Sequence, residues 1–274
     1  MNQQAFEVLF SDFDPFEAFT SIIDFLRRNW QERLNRRDFV LGLSGGIDSA
    51  VVAALITKAE IPLHVVMLPD GYRPDANSID KASMMVKYCA IPKDRIHIRD
   101  LKPMLDTRCG VCDTGKSDRC GLCRGNRAAR ERMAELYDIA SKFRGIVSGT
   151  ENLTEYFLGY FTLHGDAASD IEPIHGLLKT EVQMLAKYLG VPEPIIAQPP
   201  SAELWAGQTD EGELGFSYAV ADSVLKTEEN PAKLAKLGIS REEHLKVVDR
   251  INSTLFKRRE KPVWNMPGRN LRWA

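Results

Sequence analysis

The chain is short of several features, and each shortage narrows what it can be. No apolar run approaches the roughly 20 residues of a membrane span. The opening stretch MNQQAFEVLFSDFDPFEAF has no basic flank before an apolar segment and no small-residue cleavage site, so it does not read as a secretory signal. Cysteine is scarce: five in 274 residues, with four bunched within fifteen positions, which is not a disulfide scaffold. Glycine (19) and proline (14) are too few for a collagen- or mucin-like chain. Neither sign of charge dominates, with 36 basic against 38 acidic side chains and a formal charge of −2, which argues against bulk binding of nucleic acid but leaves room for a local basic patch. There is no internal repeat and no low-complexity tract. The 44% hydrophobic content excludes a disordered chain. The expectation is a cytoplasmic protein with no membrane partner, built as a single domain over 1–274.

What is present is an alternation. An amphipathic helix is expected over residues 14–36. FVLGL (39–43), LHVVML (63–68), RIHI (95–98) and GIVSG (145–149) are short apolar runs. Helix-spaced apolar residues separate them: Ile47, Ala50, Val51, Ala54 and Leu55, then Ile79, Ala82, Val86 and Ala90, then Ala129, Met133, Leu136, Ala140 and Phe143. Strands separated by helices need crossover connections, so the sheet is expected to be parallel, doubly wound and Rossmann-like, with both faces covered. Ligands in such sheets sit at the carboxyl ends of the strands. Beyond residue 150, Val182, Leu185, Ala186 and Leu189 mark one more helix. Residues 190–215 are rich in Pro and Gly and read as a long functional loop. From about 216 the chain is helical, with a last helix over 241–259 and a tail, 257–272, of six basic residues against one acid.

The turn after the first strand is Ser44-Gly45-Gly46-Ile47-Asp48-Ser49. Glycines let the backbone approach an anion, and the free N–H groups of a helix start, with the hydroxyls of Ser44 and Ser49, can cradle it. No lysine precedes the serine as in a Walker loop, and the third glycine of the dinucleotide fingerprint is missing. A tight strand-to-helix turn accounts for two glycines alone; the whole string at this position points to phosphate.

SGGIDS resembles the pyrophosphate loop of the N-type ATP pyrophosphatases. GTENLTEYFLGYFTLHGDAASDIEPIHGLLKTEVQMLAKYLGVPEPII (149–196) and PPSAELWAGQTDEGELGFSY (199–218) resemble NAD synthetase, over roughly residues 14–260 in all. A chain of this length leaves no room for the glutamine-hydrolysing domain some relatives carry, so the resemblance is to the ammonia-dependent form. It implies that ATP adenylates the nicotinate carboxylate of deamido-NAD and that ammonia displaces AMP. By the resemblance, Leu43, Ser44, Gly45, Gly46, Asp48, Ser49, Thr150, Lys179 and Ser201 would contact ATP. Asp48 and Lys179 would be catalytic, Asp48 and Glu155 would hold Mg²⁺, and Arg130, Asp170 and Lys257 would contact deamido-NAD. A homodimer is also implied. Leu163 and Phe256 depart from the Lys and His that such relatives often carry, which bears on the acceptor.

Cys109, Cys112, Cys120 and Cys123 form a C-x2-C-x7-C-x2-C array in a loop expected at about 106–126. Four thiolates suit structural zinc, an iron–sulfur cluster uses the same set, and a cytosolic disulfide pair is the least favoured reading. Cys89 reads as buried packing. Zinc-knuckle spacing with a basic tail also suits an ATP pyrophosphatase that adenylates and thiolates tRNA. That is the alternative to amidation.

Overall fold

A computed structural model describes residues 1–35, 37–70, 77–107, 118–201 and 209–259, apart from the side chains of 77, 107 and 118–121. Helices α1 (Gln3–Leu9) and α2 (Pro15–Glu32) precede β1 (Phe39–Gly42). Asp14 caps α2 by accepting from Phe16 N, and Pro15 occupies its first turn, where a missing N–H costs nothing. The chain continues through α3 (Ile47–Lys58), β2 (Leu63–Met67), α4 (Asn77–Tyr88), β3 (Ile96–Ile98), α5 (Lys102–Thr107), α6 (Asp118–Phe143) and β4 (Ile146–Ser148). Then come α7 (Leu153–Leu158), α8 (Lys179–Leu189), α9 (Glu193–Ile196), α10 (Asp210–Leu214), α11 (Tyr218–Lys226), α12 (Pro231–Lys236) and α13 (Arg241–Ser253).

Among the described residues the four strands form one parallel sheet in the order β3-β2-β1-β4, with Phe39 paired to both Leu63 and Ile146 and Val65 paired to Ile96. This is the expected doubly wound α/β arrangement. Alternate residues of each strand face opposite ways. Phe39, Leu41, Leu63, Val65 and Met67 pack with α2, α3, α4 and α8 on one face, while Val40, Val66 and Val147 pack against Met133, Leu136 and Ile139 of α6 on the other. Burial on both faces explains why the strands read as unbroken apolar runs. α3 runs through the first of these layers with Ser49 to Ile56 all buried, so it is apolar nearly all round. Truncating Leu41 there to Ala would cost about 2–5 kcal/mol. A separate cluster, with Leu158, Phe216, Val220, Leu234 and Val247 among its members, holds α7 and α11–α13 together as the helical C-terminal part.

β1 and β4 are neighbours although β2 and β3 intervene in sequence, so their carboxyl ends lie at the point where strand order reverses. That is the crevice in which such sheets take ligands.

The element edges differ from expectation in three places. The first long helix stops at Glu32, and the last stops at Ser253, followed by a single 3-10 turn, Leu255–Lys257. More informative is α6. Its start at Asp118 makes helical a stretch expected to be loop. Gly121 and Gly125, each about 1 kcal/mol worse than Ala in a helix, hide that turn from a periodicity reading. Packing of Gly125 and Ala128 decides it: both are buried.

Candidate active site

The loop Ser44 to Ser49 joins β1 to α3. Gly45 has φ +86°, and a Cβ there would lie 2.5 Å from the Ser78 carbonyl oxygen, so glycine is required twice over, by conformation and by space. α3 begins on Gly46 with no side-chain cap, leaving the first-turn N–H groups of the helix available to an anion. The two serines brace the turn: Gly46 N donates to Ser44 Oγ (3.1 Å), Ser44 N to Ser49 Oγ (3.3 Å), and the two hydroxyls lie 3.1 Å apart.

Asp48 lies in the first turn of α3. Its Oδ1 accepts from Asn152 Nδ2 (3.0 Å) and its Oδ2 from Lys179 Nζ (2.5 Å). Lys179 Nζ also donates to Glu155 Oε1 (2.9 Å) and lies 5.2 Å from the centre of the Tyr218 ring. One ammonium thus joins the start of α3, the first turn of α7 and the start of α8. The Lys179 side chain is 3% exposed. Burial opposes its charge, but Asp48 and Glu155 outweigh burial and hold its pKa above the usual lysine value. Burial pushes the Glu155 carboxyl up, against the pull of Lys179. Asn152, fully buried, caps α7 by accepting from Glu155 N (3.0 Å), so one side chain positions both carboxylates. Behind them Asp222 accepts from Thr154 Oγ1 and from the N and Oγ1 of Thr180, while Lys179 N donates to Thr154 Oγ1. These bonds fix the start of α8, and with it the reach of Lys179.

A cavity of about 780 Å³ opens over this group. Leu43, Ser44, Gly46, Asp48, Ser49, Thr150, Glu155, Lys179 and Ser201 line it, so of the residues expected around ATP and magnesium only Gly45 is held back, within the turn itself. Met67, Leu68, Met133 and Leu136 supply an apolar wall. A part-buried ion pair, Arg132 Nη2 to Asp70 Oδ2 at 2.5 Å, also lines the cavity. Tyr160, Asp210, Arg250 and Lys257 line the opposite side, with the Tyr160 hydroxyl 3.0 Å from Asp210 Oδ1.

The residues expected at deamido-NAD are arranged differently. Arg130 is exposed and donates through Nε to the Leu163 carbonyl (3.1 Å), and it does not line the cavity. Asp170 accepts from Val147 N (2.8 Å) and Tyr137 Oη (3.2 Å) and is also outside the cavity lining. Lys257 does line the cavity, but its amine is held by the carbonyls of Gly159 (2.7 Å) and Phe161 (2.6 Å). Phe256 is 64% exposed. Sequence reading missed Asn152, Arg132 and Asp70. Asn152 lay inside the quoted GTEN string and carries a capping signal three residues before Glu155; nothing local marks the Arg132–Asp70 pair, whose members are 62 positions apart. Cys109 and Cys112, and the side chain of Cys120, lie outside the described residues. Cys123 is exposed and free, and Cys89 is buried as expected. Among the described residues no group of three or more His, Cys, Asp or Glu is arranged to hold a metal, and no helix is long and apolar enough to cross a membrane.

Residues 18–261 match the NAD synthase family. The chain belongs to the NAD synthase family. Its members are ligases that form carbon–nitrogen bonds. The NH(3)-dependent NAD(+) synthetase of Methanosarcina acetivorans is 40% identical over 254 residues, covering 90% of this chain and 97% of that protein. Among solved structures, the NMN synthetase from Francisella tularensis superposes with a TM-score of 0.79 at 32% identity, covering 93% of this chain and 100% of that one. The NH3-dependent NAD synthetase from Campylobacter jejuni superposes with a TM-score of 0.74 at 27% identity, covering 92% and 100%. None of these matches supports the tRNA-modifying alternative.

Proposed function

We propose that this protein amidates deamido-NAD with ammonia at the expense of ATP, giving NAD, AMP and pyrophosphate through an acyl adenylate. The observation that carries the reading is the convergence of Lys179 with Asp48 and Glu155 at the mouth of the SGGIDS turn, in a chain whose curated relatives are NH3-dependent synthetases. The turn receives the pyrophosphate end of ATP on its free N–H groups and the hydroxyls of Ser44 and Ser49. Lys179 neutralises charge as it develops on the leaving pyrophosphate, a role that fixed donors perform without reorganisation. Thr150 and Ser201 flank the nucleotide, and the apolar wall of Met67, Leu68, Met133 and Leu136 takes a planar ring. Two carboxylates that reach the same ammonium are oxygen donors facing one point, which fits a magnesium ion carried in with phosphate. Asp48 and Glu155 would hold it, and it would supply further charge neutralisation.

Arg130, Asp170 and Lys257 are proposed at the acceptor; for the first two this requires deamido-NAD to extend beyond the cavity, along the α6 face. A homodimer, a cytoplasmic location and a structural zinc on the four cysteines belong to the same proposal. For zinc, the support is the array's spacing and its place in the chain, with Leu122 inside it and Asn126 three residues after it, both of which line the cavity. A shorter acceptor, lacking the adenylate half, is the second reading. The fold similarity to the Francisella NMN synthetase and the engagement of the Lys257 amine by backbone carbonyls favour it. One experiment tests both. The protein is incubated with Mg-ATP, ammonium and either deamido-NAD or nicotinate mononucleotide, and AMP and amide are followed. AMP with NAD supports the first reading, AMP with NMN the second, and no amide from either acceptor refutes both.

A further inference from the structure

α7 is only six residues long and carries Glu155, so the direction of this helix decides where that carboxylate points. A helix this short is marginal on its own, and its last carbonyls find no partner within it. Here they are taken by side chains of α13 and the turn that follows. Arg250 Nε donates to the Leu158 carbonyl (2.9 Å), as does Thr254 Oγ1 (3.1 Å). Arg258 Nη1 donates to the Phe157 carbonyl (2.6 Å) and, at longer range, to that of Tyr156 (3.3 Å), while its Nη2 donates to Ile251 O (2.7 Å). Lys257 holds the Gly159 and Phe161 carbonyls in the same way. Gly159 ends the helix at φ +58°, and a Cβ there would collide with the Thr254 side chain, so the two segments meet without a gap.

Each of the three cations also stands over an aromatic ring of the segment it grips. Arg250 lies 5.9 Å from the centre of the Tyr160 ring, Lys257 5.0 Å from that of Phe161 and Arg258 6.0 Å from that of Tyr156. Positive charge at the carbonyl end of a helix complements the helix dipole as well. Tyr160 N donates to Glu155 O (2.9 Å), so a residue under this clasp is bonded directly to the backbone of Glu155. Arg250, Thr254 and Lys257 line the cavity; Arg258 does not, and among the described residues it forms no ion pair. Its guanidinium is committed to backbone carbonyls and to the Thr254 hydroxyl (3.1 Å). Such a pattern suits a residue that holds backbone in place, because a guanidinium presents several donors in one fixed plane.

Resting on the reading that Glu155 acts on ATP beside Lys179, we propose that Arg258 is a positioning residue for the amidation: by gripping the carbonyl end of α7 it holds Glu155 on the Lys179 ammonium and Tyr160 on the cavity wall. The amino end of α7 is fixed separately, by Asn152 on Asp48 and by Thr154 on Asp222. With that end alone held, the helix is free to swing. Held at both ends it has one direction, and Glu155, midway between Asn152 and Leu158, inherits it. Glu155 Oε1 meets Lys179 Nζ at 2.9 Å, and a displacement of about 1 Å breaks that contact. Misplacement on this scale, made far from the reacting atoms, costs as much as about 100-fold in rate.

The test uses the intact protein with Arg258→Met, Arg258→Lys and Glu155→Gln, and with Arg258→Met and Glu155→Gln combined, at a temperature where circular dichroism shows each variant folded. Arg258→Met should lower kcat for AMP formation about tenfold or more while KM for ammonium stays within about twofold. Arg258→Lys keeps the charge and part of the donor set and should recover part of the loss. The rise in melting temperature that Mg-ATP gives the parent should shrink by about half or more in Arg258→Met. In the Glu155→Gln background the same replacement should change kcat by no more than about twofold, because its effect passes through the carboxylate already removed. Parent kcat in folded Arg258→Met, or effects of the two replacements that multiply in the pair, overturns the proposal. Should Arg258→Met not fold, Arg258→Lys takes its place in each comparison. If the parent protein forms no AMP with either acceptor, the amidation reading is what has failed. Urea unfolding of the same set then decides the clasp: effects of Arg258→Met and Glu155→Gln that are coupled in stability support it, and strictly additive ones overturn it.

Discussion

Replacing Lys179 by Met tests the centre of the site. Met preserves much of the side-chain volume and removes the charge, leaving Asp48 and Glu155 without their shared cation. Breaking a buried ion pair in this way costs about 3–5 kcal/mol. For a domain of this size each kcal/mol corresponds to roughly 2–4 °C in Tm, so a fall on the order of 10 °C is expected near pH 8. The sign of the pH dependence follows from the groups left behind. In the parent protein Lys179, with its pKa raised, contributes fully at any pH below the normal lysine range. In the variant, Glu155 loses the ammonium that opposed the effect of its burial, so its carboxyl binds a proton still more readily. The folded variant then keeps a proton that the unfolded chain has released, and its stability falls as pH rises from about 5 to 8. The difference between the two proteins should therefore be small near pH 5 and largest near pH 8. Calorimetric melting across that range, with AMP formation measured in parallel, checks both parts. Loss of one fixed charge at the phosphates should lower kcat by about 100-fold or more. A variant that melts with the parent at every pH, or keeps its AMP formation, would refute the placement of Lys179 between the two carboxylates.

Three further outcomes follow from the same geometry. Gly45→Ala places a Cβ against the Ser78 carbonyl at positive φ, so it should destabilise the fold by about 1–3 kcal/mol and raise KM for ATP, measured by denaturant melting and steady-state kinetics. Asn152→Ala removes the cap of α7 and the amide on Asp48 together, an expected loss of about 1–3 kcal/mol in urea unfolding accompanied by a fall in kcat. Glu151→Gln should flatten the pH dependence of stability: a carboxyl raised to about 8 holds a proton that the unfolded chain gives up above the normal glutamate range, so parent stability declines from about pH 5 to 8. Each tenfold in proton affinity is about 1.4 kcal/mol, so the variant should gain on its parent by up to about 4 kcal/mol at pH 8 and little at pH 5.

The amino-acid order by itself determined the alternation of strand and helix, the covering of both sheet faces, and the place of the SGGIDS turn. These depend on local spacing: apolar runs with no polar alternation, and glycines where a strand must turn into a helix. The resemblance to a known family, carried by stretches whose residues stand close together in the chain, also singled out Asp48, Glu155 and Lys179. Only the tertiary structure decided how those three meet. Lys179 reaches Asp48 across 131 positions because Asp222, on another helix again, accepts from Thr180 at the start of α8 and from Thr154 of α7, which ties the two together. The same is true of Arg132 with Asp70, and of Glu151, whose acidity comes from the burial and charges that folding gathers around it. Arg130 and Lys257 show the converse. Both are charged residues in suggestive positions, but folding turns their donors onto backbone carbonyls, at Leu163 for the first and at Gly159 and Phe161 for the second. Propensity and motif spacing are properties of neighbours along the chain, whereas hydrogen-bond partners and burial depend on which distant segments pack together.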